Sequence, residues 1–196
     1  KELAKFHIVN KDIITLNKNN FSLDFWNISF NKYKSLMNKE LPGSFDIVNE
    51  EINFLNKNWP LNLPEGIIHA DLFPDNVLFS RSHKVSGMID FYFACKDFFA
   101  YDIAILINAW CFPDNDFNKI FMNNILKGYE SIRKLQIIEK KKLNVLLRGS
   151  SLRFLLTRII DIQKKTKNKL LEIKNPEDFL KRLIFHRTIS NENYGI

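Results

Sequence analysis

In the stretch "IIHADLFPDNVLF" the polar residues His69, Asp71 and Asn76 stand between two apolar runs, and Asp90 follows fourteen residues after Asn76 at the end of "GMID". A carboxylate in a loop pinned at both ends by short apolar strands can be aimed at a target. Asp71 suits a general base that aligns a hydroxyl and accepts its proton while a phosphoryl group moves onto the oxygen. That reaction asks for positioning and charge compensation more than for covalent help. Asn76 and Asp90 offer an amide oxygen and a carboxylate. These are hard ligands of the kind Mg²⁺ takes one or two at a time, completing its shell with water and phosphate oxygens. Taken singly each is an ordinary loop residue, since a lone Asp is more often an Asx-turn or a cap than a base. In this order and spacing they follow the catalytic loop and metal-binding Asp of kinase chemistry, with ATP and Mg²⁺ as the expected cofactors. His69 is expected to be buried and bonded to backbone, bracing the loop and not acting as a base.

Such a loop needs strands on both sides. The patterns predict strands at 67–69 and 77–79, both buried, and a third at 85–89 after the polar turn "SRSHK". Upstream, residues 1–9 close a helix, 23–38 form a weak one, and Ser44 caps a clearer one that runs to about 57 with Ile47, Ile52 and Leu55 on its apolar stripe. Pro60 and Pro64 make the segment before the first strand irregular. Downstream, helices are expected near 98–111, 116–133, 137–147, 149–163 and 176–188, the last with Asn175 as N-cap and Pro176 at its first position. The expected class is α+β: a mainly helical body with a small β-hairpin carrying the two loops.

Composition limits the alternatives. The 196 residues are 45% hydrophobic with 18 Phe and 3 Trp, enough for one sizeable core and no second full domain. The formal charge of +7 comes from Lys scattered along the chain. Its densest runs, "EKKKLN" at 139–144 and "KKTKNK" at 164–169, lack the interleaved aromatics of a single-strand binder, so no nucleic-acid partner is expected. Cys95 and Cys111 form no CxxC pair and the four His residues have no zinc spacing. The cysteines read as reduced core thiols of a cytoplasmic protein. No apolar run reaches the roughly 18–20 residues of a membrane span, "IAILINAWCF" being cut by Asn108 and Pro113.

With Ala70 after His69, where protein kinases carry Arg, the loop "HxDxxxxN" resembles that of the aminoglycoside phosphotransferase and choline kinase superfamily of kinase-like enzymes. Residues 67–79 and 87–112 ("GMIDFYFACKDFFAYDIAILINAWCF"), "RGSSLRFLLTRIIDI" at 148–162 and the closing "EDFLKRLIFHRTISNENYGI" resemble its homoserine-phosphorylating branch. The resemblance implies a small-molecule substrate, L-homoserine, converted with ATP to O-phospho-L-homoserine on the route to threonine, on the fold of a kinase C-terminal lobe. It implies Asp71 as base, Asn76 and Asp90 as Mg²⁺ and nucleotide ligands, His69 as loop brace, and Asp102 in "YDIA" as a second brace.

An amino-acid substrate carries a carboxylate, which suits the forked donors of Arg, and an ammonium, which suits an acid or a carbonyl. Arg153 and Arg158 are the candidates for the carboxylate, because "LRFLLTRII" is too apolar to hold an unpartnered charge. Five residues apart on a helix they diverge by about 140°, so one of them is expected to face the cleft. The six glycines form no glycine-rich loop, and no strand before residue 67 offers a "VAIK"-like lysine for the ATP phosphates. Residues 1–196 are therefore expected to be the C-terminal lobe of a longer enzyme, whose ATP-binding lobe precedes Lys1. Two rivals stay open: a kinase of the same superfamily acting on an aminoglycoside, choline or a sugar, and a noncatalytic kinase-like binding module.

Overall fold

The computed structural model describes residues 1–13, 17–165 and 174–194. Two small antiparallel ladders set the loops. In the first, β1 (Glu65–Ile68) pairs with β4 (Cys95–Phe98), with Gly66 opposite Asp97. Gly66 is required there, because a Cβ would lie 2.5 Å from the ring of Phe99. The second ladder is the hairpin of β2 (Val77–Phe79) and β3 (Val85–Met88). Sequence patterns placed the first strand and the hairpin but missed β4. Lys96 and Asp97 break its apolar signal, and Phe98 runs directly into a helix. The expected burial of the second strand is also corrected: Leu78 and Phe79 are about half exposed, Phe79 keeping an edge contact with the Trp110 ring.

Helices supply the rest: α1 (Glu2–Val9), α2 (Leu23–Glu40), α3 (Ser44–Asn58), α4 (Phe99–Trp110), α5 (Lys119–Glu130), α6 (Ile137–Lys165), α7 (Glu177–Thr188) and α8 (Asn191–Tyr194). α6 is the central post, packed against α2, α4 and α7. The two helices expected at 137–147 and 149–163 are this one helix. Gly149 does not break it. A Cβ there would come within 2.2 Å of the Trp59 ring and 2.9 Å of Trp26, so the glycine is a packing notch for two indoles. Two expected caps also change. Gly43 at φ 81° precedes α3, and Ser44 is its first residue, with the hydroxyl donating to Leu41 O at 2.7 Å. Pro176 precedes α7, while the Asn175 side chain accepts from Glu177 N at 2.9 Å.

Buried polar groups tie the helices around this post. Fully buried Glu51 on α3 takes two hydrogen bonds from Arg148 on α6, at 2.7 and 2.6 Å. The Asn144 amide donates to His186 O and Ile189 O, closing the end of α7. Cys95 and Cys111 are buried free thiols, and burial pushes both up to about 12, so neither is a nucleophile at neutral pH.

Candidate active site

The loop from His69 to Asn76 leaves β1 and enters β2 through a short 3-10 turn over Pro74–Asn76. Ala70 sits at φ 63°, the left-handed region that a residue with a Cβ visits only when its surroundings hold it there. Two buried groups do so. Ala70 N donates to Asp102 Oδ1 at 2.9 Å, and Ala70 O accepts from Arg153 Nη1 at 2.7 Å. The strained residue aims its neighbour Asp71 toward the cleft.

Behind the loop lies a dry network. Asp102 Oδ2 accepts from His69 N at 2.8 Å and from His7 Nε2 at 3.0 Å. His7 Nδ1 meets Tyr129 Oη at 2.7 Å, which takes a further bond from Arg133 Nη1 at 3.3 Å. Burial alone would raise the Asp102 carboxyl, but the donors from His7, His69 and Ala70 outweigh it and hold it below the usual carboxylate range. His69 is fully buried. Its Nδ1 accepts from Asp71 N at 3.2 Å, so the proton sits on Nε2, which donates to Ile89 O at 2.9 Å. One ring thus ties the start of the loop to the residue before Asp90.

In front of the loop, Asp71, Asn76, Asp90, Arg153 and Arg158 line a single cavity of about 340 Å³. Burial pushes the Asp71 carboxyl up to about 6, against the pull of Arg153, His69 and Lys174. The Asn76 amide nitrogen is spent on Asp71, bonding its carbonyl at 2.7 Å and its Oδ2 at 3.3 Å, which leaves Asn76 Oδ1 for a cation. Asp90 is exposed at φ 60°, at the start of the Phe91–Phe93 turn. Among the described residues no group of three or more His, Cys, Asp or Glu could hold a metal unaided. An amide oxygen and a carboxylate on one cavity fit Mg²⁺, which completes its shell with water and phosphate.

The structure corrects the expectation that one of the two arginines turns away: both face the cleft. Arg153 is buried and reaches under the rings of Phe21 and Phe154 to Ala70 O. Arg158 lies over the Phe179 ring, and its Nη1 bonds Asn175 O at 2.5 Å and Asp178 Oδ2 at 3.0 Å. Their lengths let them wrap around the helix from opposite sides. Sequence reasoning missed His7, sixty-two residues before His69 with no local signal, and it missed Thr157 and Asp161 on the cavity wall. Their spacing after Arg153 on one helix, i+4 and i+8, could have found the last two.

This helical lobe with its strained loop and hairpin is that of the kinase-like phosphotransferases. A Plasmodium vivax ethanolamine kinase superposes over 99% of the chain and 56% of its own, with a TM-score of 0.59 and 17% identity. An amicoumacin kinase solved with AMP-PNP, Ca²⁺ and Ami covers 97% and 56%, with a TM-score of 0.62 and 16% identity. Residues 1–135 match the phosphotransferase enzyme family, and the chain belongs to it. Homoserine kinase of Xanthobacter autotrophicus is 43% identical over 196 residues, covering 99% of the chain and 61% of that protein. The homoserine kinase of Bartonella tribocorum is 43% identical over 190 residues, covering 96% and 59%. The chain thus spans about 60% of the length of the curated relatives it matches.

Proposed function

We propose that the protein transfers the γ-phosphoryl group of ATP to the side-chain hydroxyl of L-homoserine, yielding ADP and O-phospho-L-homoserine, a step toward threonine. The observation that carries the reading is the meeting of Asp71, Asn76 and Asp90 with two fixed arginines around one cavity, in a chain whose relatives are named for this reaction. Asp71 accepts the hydroxyl proton as the oxygen attacks, and its raised carboxyl makes it a stronger base than an ordinary Asp. Asn76 Oδ1 and Asp90 would hold Mg²⁺, which when bound neutralises charge on the phosphate oxygens. His69 and Asp102 keep Asp71 in place through the loop backbone. Arg158, and Arg153 beside it, draw in the substrate carboxylate. Exposed Leu78 and Ile89, next to the metal-binding residues, offer an apolar floor for the purine ring.

In this reading residues 1–196 are the lobe carrying base, metal ligands and acceptor pocket, and the glycine-rich loop and phosphate-binding lysine come from a separate, preceding lobe. This chain by itself is then expected to bind ATP weakly and turn over negligibly. The protein at its full coded length, given ATP and Mg²⁺, is expected to release ADP in proportion to added L-homoserine and not to ethanolamine, choline or an aminoglycoside. ADP release that follows one of those alcohols, and not homoserine, would overturn the substrate.

A further inference from the structure

The cavity wall opposite the metal-binding residues is one face of α6, where Arg153, Phe154, Thr157, Arg158 and Asp161 all line the space. Arg158 and Asp161 are three residues apart, the spacing at which opposite charges on a helix ordinarily pair. Here each has another partner. Arg158 is held by Asn175 O and Asp178. Among the described residues Asp161 meets only the exposed Lys164, at 3.2 Å, with about half of its side chain in solvent. A pair of that kind is worth at most about 1 kcal/mol and yields to a better-placed cation. One positive and one negative group thus stand side by side on the wall without cancelling each other.

The other carboxylates of the cavity have different work. Asp71 and Asp90 stand at the phosphoryl-transfer end, and Asp75 is tied to Lys174 at 2.9 Å, whose hydrogen bond holds its carboxyl below the usual range. Asp161 is the carboxylate on the α6 wall. One turn before it, Thr157 spends its hydroxyl proton on Phe154 O at 3.1 Å, leaving the oxygen as an acceptor. Thr157 and Asp161 therefore stack two acceptors along the cavity, next to the guanidinium that draws in a carboxylate.

We propose that Asp161, assisted by the Thr157 oxygen, receives the α-ammonium group of the amino-acid substrate and so makes the pocket selective for an amino acid over a plain hydroxy acid. The inference rests on the function proposed above and names the residue that reads the substrate's cationic end. The full-length enzyme is assayed for ADP release with L-homoserine and with 4-hydroxybutanoate, the same molecule without its ammonium group, as wild type and as Asp161→Asn. The wild type is expected to prefer homoserine, and Asp161→Asn to reduce that preference in kcat/KM by about 30-fold, chiefly through KM, as losing a charge-assisted hydrogen bond predicts. Asp161→Glu is expected to recover part of it. A preference unchanged in Asp161→Asn, with both substrates affected alike or neither affected, overturns the role of Asp161 and leaves the homoserine reading intact. A wild type that does not turn over homoserine overturns both.

Discussion

The two sides of the 69–76 loop treat polar atoms in opposite ways. Behind it, Asp102 and His7 are fully dry, and the Asp102 carboxylate is saturated by His69 N, Ala70 N and His7. In front of it, Asp71 is half-buried, Asp90 and Asp75 are exposed, and the Asn76 amide spends its nitrogen on Asp71, keeping its oxygen for a ligand. A buried polar group left without a partner costs stability, whereas one facing a cavity keeps its bonding capacity for a ligand. The rear side therefore stores rigidity and the front side stores reactivity. The strained Ala70 at φ 63° is the hinge between them, held by an acid from behind and by Arg153 from the cavity side.

That contrast can be broken by substitution. Asp102→Ala should be the most damaging to the fold, about 3–5 kcal/mol in urea unfolding, since it strands two backbone donors and His7 in a dry interior. Next, His7→Phe keeps the ring volume but removes a donor from Asp102 and a partner from Tyr129, for about 1.5–3 kcal/mol. It should also lower kcat more than it raises KM, because the loop it steadies touches the reacting end of the pocket. If His7→Phe unfolds at wild-type urea concentrations, the rear network does not carry the rigidity assigned to it.

Front-side changes should do the reverse. Asp71 holds its proton more tightly folded than unfolded, so its charged form opposes folding above pH about 6, and this cost fades as pH falls toward the ordinary carboxylate range. Asp71→Asn should therefore raise Tm at pH 8 and progressively less toward pH 4, which calorimetry at several pH values would read. Lys174→Ala sits at the small end. Its ion pair with Asp75 is more than half exposed on both sides, and its loss should shift unfolding by no more than about 1 kcal/mol.

The candidate site was legible because it is local. His69, Asp71, Asn76 and Asp90 fall within twenty-two residues, in or beside loops that the flanking hydrophobic runs bracket. What supports them is not local. His7 comes from the first helix, and β4 hides its strand pattern behind Lys96 and Asp97. The break expected between residues 147 and 149 is absent, although Gly149 has low helix propensity. The glycine's reason for being there, two indole rings pressed on α6, lies in residues ninety and more positions away. The facing of Arg153 and Arg158 followed helical geometry at the backbone but not at the guanidinium, which long side chains carry well off the Cα direction.

The central claim is that Asp71 takes the proton from a homoserine hydroxyl, and steady-state ADP release by the full-length enzyme across pH 5–9, wild type beside Asp71→Asn, tests it most directly. The account predicts a wild-type kcat/KM for homoserine that falls about tenfold per pH unit below about 6, the value to which burial pushes Asp71. It also predicts a loss of about 10³-fold in kcat for Asp71→Asn, with that acid limb gone from the residual rate. Turnover by Asp71→Asn at the wild-type rate, with the acid limb still in place, would contradict it.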